Sequence, residues 1–168
     1  MRASMYSLSV PVFRRSLAAL SAILDKAASY AQERKIDPAA LLDARLHPDM
    51  FPFTRQIQLA SDFAKGAASR LAGQDPPKFD DVEVGFDQLK ERIARTIAFL
   101  DSVGSERIEG SEERPIELKF PSRTLRFVGL DYLTQHALPN FFFHATAAYA
   151  ILRHNGVPVG KQDFLGGI

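Results

Sequence analysis

The sequence predicts an all-α protein, a four-helix bundle with a short β-hairpin placed before its last helix. Three observations predict it. Apolar residues recur at steps of three and four along four separate stretches, which is the helical period. Between Glu106 and Gly129 that period gives way to two-residue alternation, the mark of paired strands. With no cysteine and thirteen phenylalanines, the core has to be held by packing, which excludes disulfides, thiolate metal centres and thiol nucleophiles. At 168 residues the chain is long enough for one core and short for two, so residues 1–168 are read as one domain.

The first helix is carried by Phe13, Leu17, Leu20, Leu24, Ala27 and Ala31. Ser9 is its expected N-cap, with Pro11 in the first turn, and it should end near Arg34 and Lys35. Asp37 before Pro38 reads as the cap and first residue of a short helical turn closing at Leu42. Asp49, with Pro52 in the first turn, is the expected start of the second long helix, whose stripe is Phe53, Ile57, Ala60, Ala64, Ala67 and Leu71. Small residues dominate that seam and allow a neighbouring helix to approach closely, until Gly73, Pro76 and Pro77 stop the helix. The third stripe runs through Phe86, Leu89, Ile93, Ile97 and Leu100 and ends near Gly104.

Ile116, Leu118 and Phe120, then Leu125 and Phe127 after a Pro-Ser-Arg turn, predict the hairpin. A lone hairpin is marginal in water, so it should lie against the bundle. The fourth helix is expected from about Leu130 to His154, with Leu133, Ala137, Asn140, His144, Ala147 and Ile151 on its stripe and Asn155–Gly156 as its end. Phe164 and Leu165 would anchor the tail. The hairpin gives the third connection enough chain to cross over, so the bundle need not run simply up-down-up-down.

A formal charge of +1, from 21 basic and 20 acidic residues spread along the chain, leaves no footprint for nucleic acid or for anionic lipid. Met1 to Tyr6 carries a single Arg and is followed by Pro11, Arg14 and Arg15, unlike a secretory leader, so a cytoplasmic protein is expected. Leu133 to Leu152 has 20 residues without formal charge, but Gln135, His136, Pro139, Asn140 and His144 make it a buried helix rather than a membrane span.

Chemistry is best sought where the fourth stripe turns polar. Asn140 and His144 are four apart and face one way, and Pro139 removes a backbone donor beside them, so the helix should kink where they enter the core. One reading is structural: Asn140 bonds backbone freed by the kink, and His144 is a neutral core imidazole with its own partner. The other is a small internal ligand pocket lined by Asn140, His144 and Gln56 of the second helix, with Asp49 at its mouth. His136 lies about 80° from His144 on an ideal helix and reads as structural, as does His154 in the last turn. His47 and Asp49 sit in the loop feeding the second helix. Arg55, Gln58, Asp62 and Lys65 share one face of that helix, the pattern of a solvated side. No nucleophile elbow, zinc-protease, phosphate-loop or dinucleotide motif occurs.

The runs PDMFPFTRQIQLASDFAKGAASRLAG and ALPNFFFHATAAYAILRHNGVPVGKQDFLG resemble an uncharacterised bacterial family, a domain of unknown function, of the DinB/YfiT-like superfamily. The resemblance spans nearly the whole chain from Met5. It implies a bundle of up-down-down-up connectivity, often a homodimer. Metal-binding members of that superfamily hold a divalent ion with three histidines, one on the second helix and two spaced by four on the fourth, and some transfer thiols. Here only His144 has a counterpart; Asn140 and Ala148 stand four residues to either side, and the second helix has no histidine. One imidazole with an amide makes a poor divalent site, so no resident metal is expected. The alternative is a divergent metal-dependent hydrolase or thiol transferase, with an ion such as Zn or Ni on His144, His136 and His47.

Overall fold

The structure, a computed structural model, describes residues 4–167. The first three residues of the Met1–Tyr6 stretch weighed above as a leader lie outside the described residues. Four long helices form the bundle: α1 (Val10–Arg34), α3 (Phe53–Leu71), α4 (Phe86–Ser102) and α7 (Leu138–His154). Short elements join them: α2 (Pro38–Leu42), α5 (Ser105–Ile108), strands β1 (Pro115–Phe120) and β2 (Arg123–Val128), α6 (Gly129–Asp131), a π-helical turn (Tyr132–Ala137) and α8 (Lys161–Leu165).

Every residue of the predicted stripes on α1 and α3 is buried, and Phe86, Leu89, Ile93 and Leu100 of α4 meet them, with Ile97 half-covered. Around the bundle the order is α1, α4, α3, α7, so α1 and α3 stand on one diagonal and α4 and α7 on the other. The α1–α3 connection through α2 and the α4–α7 connection through the hairpin therefore both cross the bundle ends. The alanines of α3 let α7 approach closely, and this is the most extensive helix pair of the fold.

Local signals fixed most boundaries. Asp37 accepts the Ala39 N–H at 3.0 Å and opens α2 as its spacing predicts. Gly73 and Gly156, at φ of 71° and 88°, occupy the left-handed positions that close α3 and α7. Ser9 does stand at the N-cap position of α1, yet its hydroxyl donates back to the carbonyls of Met5 and Tyr6 and caps nothing. Asp49 is not the N-cap of α3. That helix starts four residues later, with Pro52 in extended backbone at the cap, because the residue before a proline is pushed out of helical geometry.

In the hairpin Ile116 pairs with Phe127 and Leu118 with Leu125. Ile116 and Leu118 are buried against the bundle, whereas Phe120, at the turn, overhangs it and stays exposed. At the far end Phe164 of α8 meets Tyr149 edge-on at 5.7 Å, and Asp163 bridges to Lys26 at 2.7 Å, so the tail is anchored to the bundle. Among the described residues no helix is long and apolar enough to cross a membrane.

Candidate functional site

Where the sequence predicts a kink, the chain passes through a turn of π-helix. Pro139 has no N–H and its ring crowds the preceding turn, so the backbone widens: Leu138 donates to Leu133, five residues back instead of four. Asn140 then donates from Nδ2 to the carbonyl of His136 at 2.7 Å. The widened turn aligns Tyr132, His136 and Asn140 along one side of a cleft.

That cleft, of about 470 Å³, lies between the hairpin, the π turn and α3. Leu59, Phe63 and Arg70 of α3 form one wall, and Leu118, Phe120 and Leu125 of the hairpin form another. His136 stacks on Tyr132 at 5.7 Å and touches Phe63 and Phe127 at 5.8 and 5.4 Å. Burial, and then the charge of Arg70, hold its imidazole below the usual histidine range. Arg70 donates to the Tyr132 hydroxyl at 3.1 Å. Burial raises the Tyr132 phenol despite Arg70, so this hydroxyl stays protonated at neutral pH.

His144 lies outside the cleft lining and meets it only through Phe63, whose ring stacks on the imidazole at 5.5 Å. It is 8% exposed, and its Nδ1 sits 2.8 Å from Oε1 of Gln56. The Gln56 amide is oriented by its other end, where Nε2 donates to the carbonyl of Phe51 at 3.0 Å. Oε1 can only accept, so Nδ1 carries the imidazole proton and Nε2 keeps its lone pair. Burial, and secondarily Arg55, push the His144 pKa down to about 4. The structure thus joins Gln56 to His144 and places Asn140 in the cleft. Asp49 stands apart, exposed, and accepts from Nδ1 of His47 at 2.7 Å.

The charged face of α3 is not a solvated side. Gln58 and Lys65 are buried, and the segment from Phe79 to Glu83 lies over them. Arg92 of α4, 1% exposed, reaches Asp62 at 2.8 Å and Asp81 and Glu83 at 3.0 Å each. Arg55 pairs with Asp81, and Lys65 with Asp62 at 2.9 Å. Burial opposes the Glu83 charge, but hydrogen bonds from Arg92 and Gln58 hold its carboxyl below the usual range. Helical spacing showed these charges on one face; the opposing ones arrive from a loop and another helix.

A three-histidine metal site does not fit these residues. His144 keeps an Nε2 lone pair but has no imidazole to join it: the flanking positions are Asn140 and Ala148, and His136 and His47 belong to different surroundings. Among the described residues no group of three or more His, Cys, Asp or Glu side chains converges on a point. Sequence reasoning missed Phe63, Arg70 and Tyr132 as cleft residues. Tyr132, His136 and Asn140 do share a four-residue spacing, the one signal that was available.

The comparisons with known proteins agree with one another. A family described as a domain of unknown function (DUF1993) matches residues 5–165. A solved structure of a DinB family member protein from Shewanella denitrificans is 40% identical, with a TM-score of 0.88 over 97% of this chain and 92% of its own. No curated protein matches the chain.

Proposed function

The chain belongs to the DUF1993 family of DinB-like bundles, and from that premise we propose that it binds a small molecule in the cleft beside the π turn, its ancestral metal position having decayed into a hydrogen-bonded pair. One observation carries this reading: a cleft of small-molecule size coincides with the π turn and with the Tyr132–His136–Asn140 row. A helix regularised by an alanine in place of Pro139 would give up that row, so the distortion is consistent with a site rather than with packing alone.

His144 and Gln56 support the site from behind. Their bond fixes the tautomer and orientation of the imidazole, burial keeps it neutral, and the ring in turn backs Phe63, which lines the cleft. The competing reading, a divalent ion on His144, draws on the lone pair that this tautomer leaves at Nε2. Elemental analysis of protein purified without chelator separates the two: less than one ion per several chains is expected. A stoichiometric ion that disappears in His144→Ala would sink the ligand-only reading. A fragment screen by protein-observed NMR should give hits that move Phe63, Tyr132 and His136 and that fail in Asn140→Phe. Hits mapping elsewhere would refute the cleft.

We also infer a homodimer. It is supported by Phe51 and Phe143, 54% and 58% exposed, which flank the Gln56–His144 pair and form an apolar surface suited to a second copy. Light scattering should give twice 18.7 kDa, and Phe143→Glu should give the monomer.

A further inference from the structure

The cleft carries an imbalance of charge that its shape does not require. Five charged residues border it: Arg70, Arg123 and Asp62, together with Glu117 and Lys119, whose side chains leave β1 on the side opposite Leu118. The two carboxylates are already neutralised by cations that are not part of the lining. Asp62 holds Lys65 and Arg92, at 2.9 and 2.8 Å, and Glu117 holds Arg126 at 2.8 Å. Among the described residues neither Arg70 nor Arg123 has a carboxylate within 4 Å. The cleft therefore presents two arginines without dedicated counter-ions, in a chain whose total charge is only +1.

Arg70 is placed for a ligand by two neighbours. Gly66, one turn earlier on α3, leaves room for its guanidinium: a Cβ there would lie 2.5 Å from Nη1. The Tyr132 hydroxyl takes one N–H and the ring lies 6.0 Å beneath the guanidinium, so the side chain is steered while most of its donors stay uncommitted. Phe63 and His136, both half-buried, supply ring surface beside it, and the buried Tyr132 stands behind His136.

Resting on the reading of the cleft as a ligand site, we propose that its ligand is a small organic anion with a flat unsaturated body. Its carboxylate or phosphate is held by Arg70 with Arg123, and its body lies against Phe63 and His136. Arginine provides the forked donors that such acids accept, and a concave site with aromatic walls strengthens that pairing over one on open surface.

The test is a titration of the full chain with benzoate, phenyl phosphate, inorganic phosphate, benzamide and benzamidine, followed by amide NMR shifts. Benzoate and phenyl phosphate should move the signals of Phe63, Arg70 and His136, and bind at least about tenfold more tightly than benzamide, with affinity falling as salt rises. Arg70→Gln should weaken the acids about tenfold and leave benzamide unchanged. Should that variant fail to fold, Arg123→Gln serves the same purpose on the exposed hairpin. Benzamide binding as tightly as benzoate at the same residues would overturn the anion and leave the cleft standing. Inorganic phosphate binding as tightly as phenyl phosphate would overturn the flat body. If no probe moves a cleft residue, the proposal and the ligand-site reading fall together.

Discussion

In the folded chain His144 stays neutral down to a pKa of about 4, whereas in the unfolded chain it takes up a proton near the ordinary 6.5. Between those values the unfolded state binds more protons than the folded one, so stability falls as the pH drops. The slope is at most about 1.4 kcal/mol per pH unit, and the loss reaches about 3 kcal/mol once the pH is below 4, with no contribution above about 7.5. Glu83 and His136 are also shifted by folding, so the quantity to measure is the difference between wild type and His144→Gln, which keeps an amide in place and removes the titration. Urea unfolding followed by circular dichroism from pH 8 to pH 4.5 provides it. The variant should begin less stable, by roughly 1–2 kcal/mol for the lost bond to Gln56, and the deficit should shrink and reverse as acid penalises only the wild type. Two stability curves that stay parallel across this window would refute the burial and tautomer assigned to His144.

Three further outcomes follow from the packing. Arg92→Met strips the shared cation from Asp62, Asp81 and Glu83 and should cost about 3 kcal/mol, with faster proteolysis between Lys78 and Val84 as the visible sign. Gly129→Ala drives a Cβ into the carbonyl oxygen of Ser111, which is backbone and cannot swing aside, so thermal unfolding should show a loss of at least about 2 kcal/mol. Asp37→Ala removes the cap of α2 and should cost about 1 kcal/mol, read as faster hydrogen exchange at Ala39 with the long helices unaffected.

Much of the fold was legible because it rests on local rules. The stripes of α1, α3 and α4 are the core, Asp37 caps α2, and Gly73 and Gly156 close their helices, since period and dihedral preference depend on residues a few places apart. Asp49 misled because a good cap residue followed by a proline is equally compatible with a loop; the helix opens only after Pro52, which is itself in extended backbone. Pro139 announced a kink without saying that the helix would widen into a π turn, because the choice depends on what packs around it.

The sequence by itself determined four amphipathic helices, a hairpin, the polar pair of Asn140 and His144 on the fourth stripe, and the lack of a second histidine four residues from His144. Only the tertiary structure decided that His144 pairs with Gln56, 88 residues away, while Asn140 and His136 face a cleft closed by the hairpin. It also decided that the charged side of α3 is covered, through Arg92 and the Phe79–Glu83 segment. The physical reason is common to all three: periodicity says which way a side chain points, but its partner, and hence its proton, charge and exposure, is set by whichever distant element comes to rest opposite it.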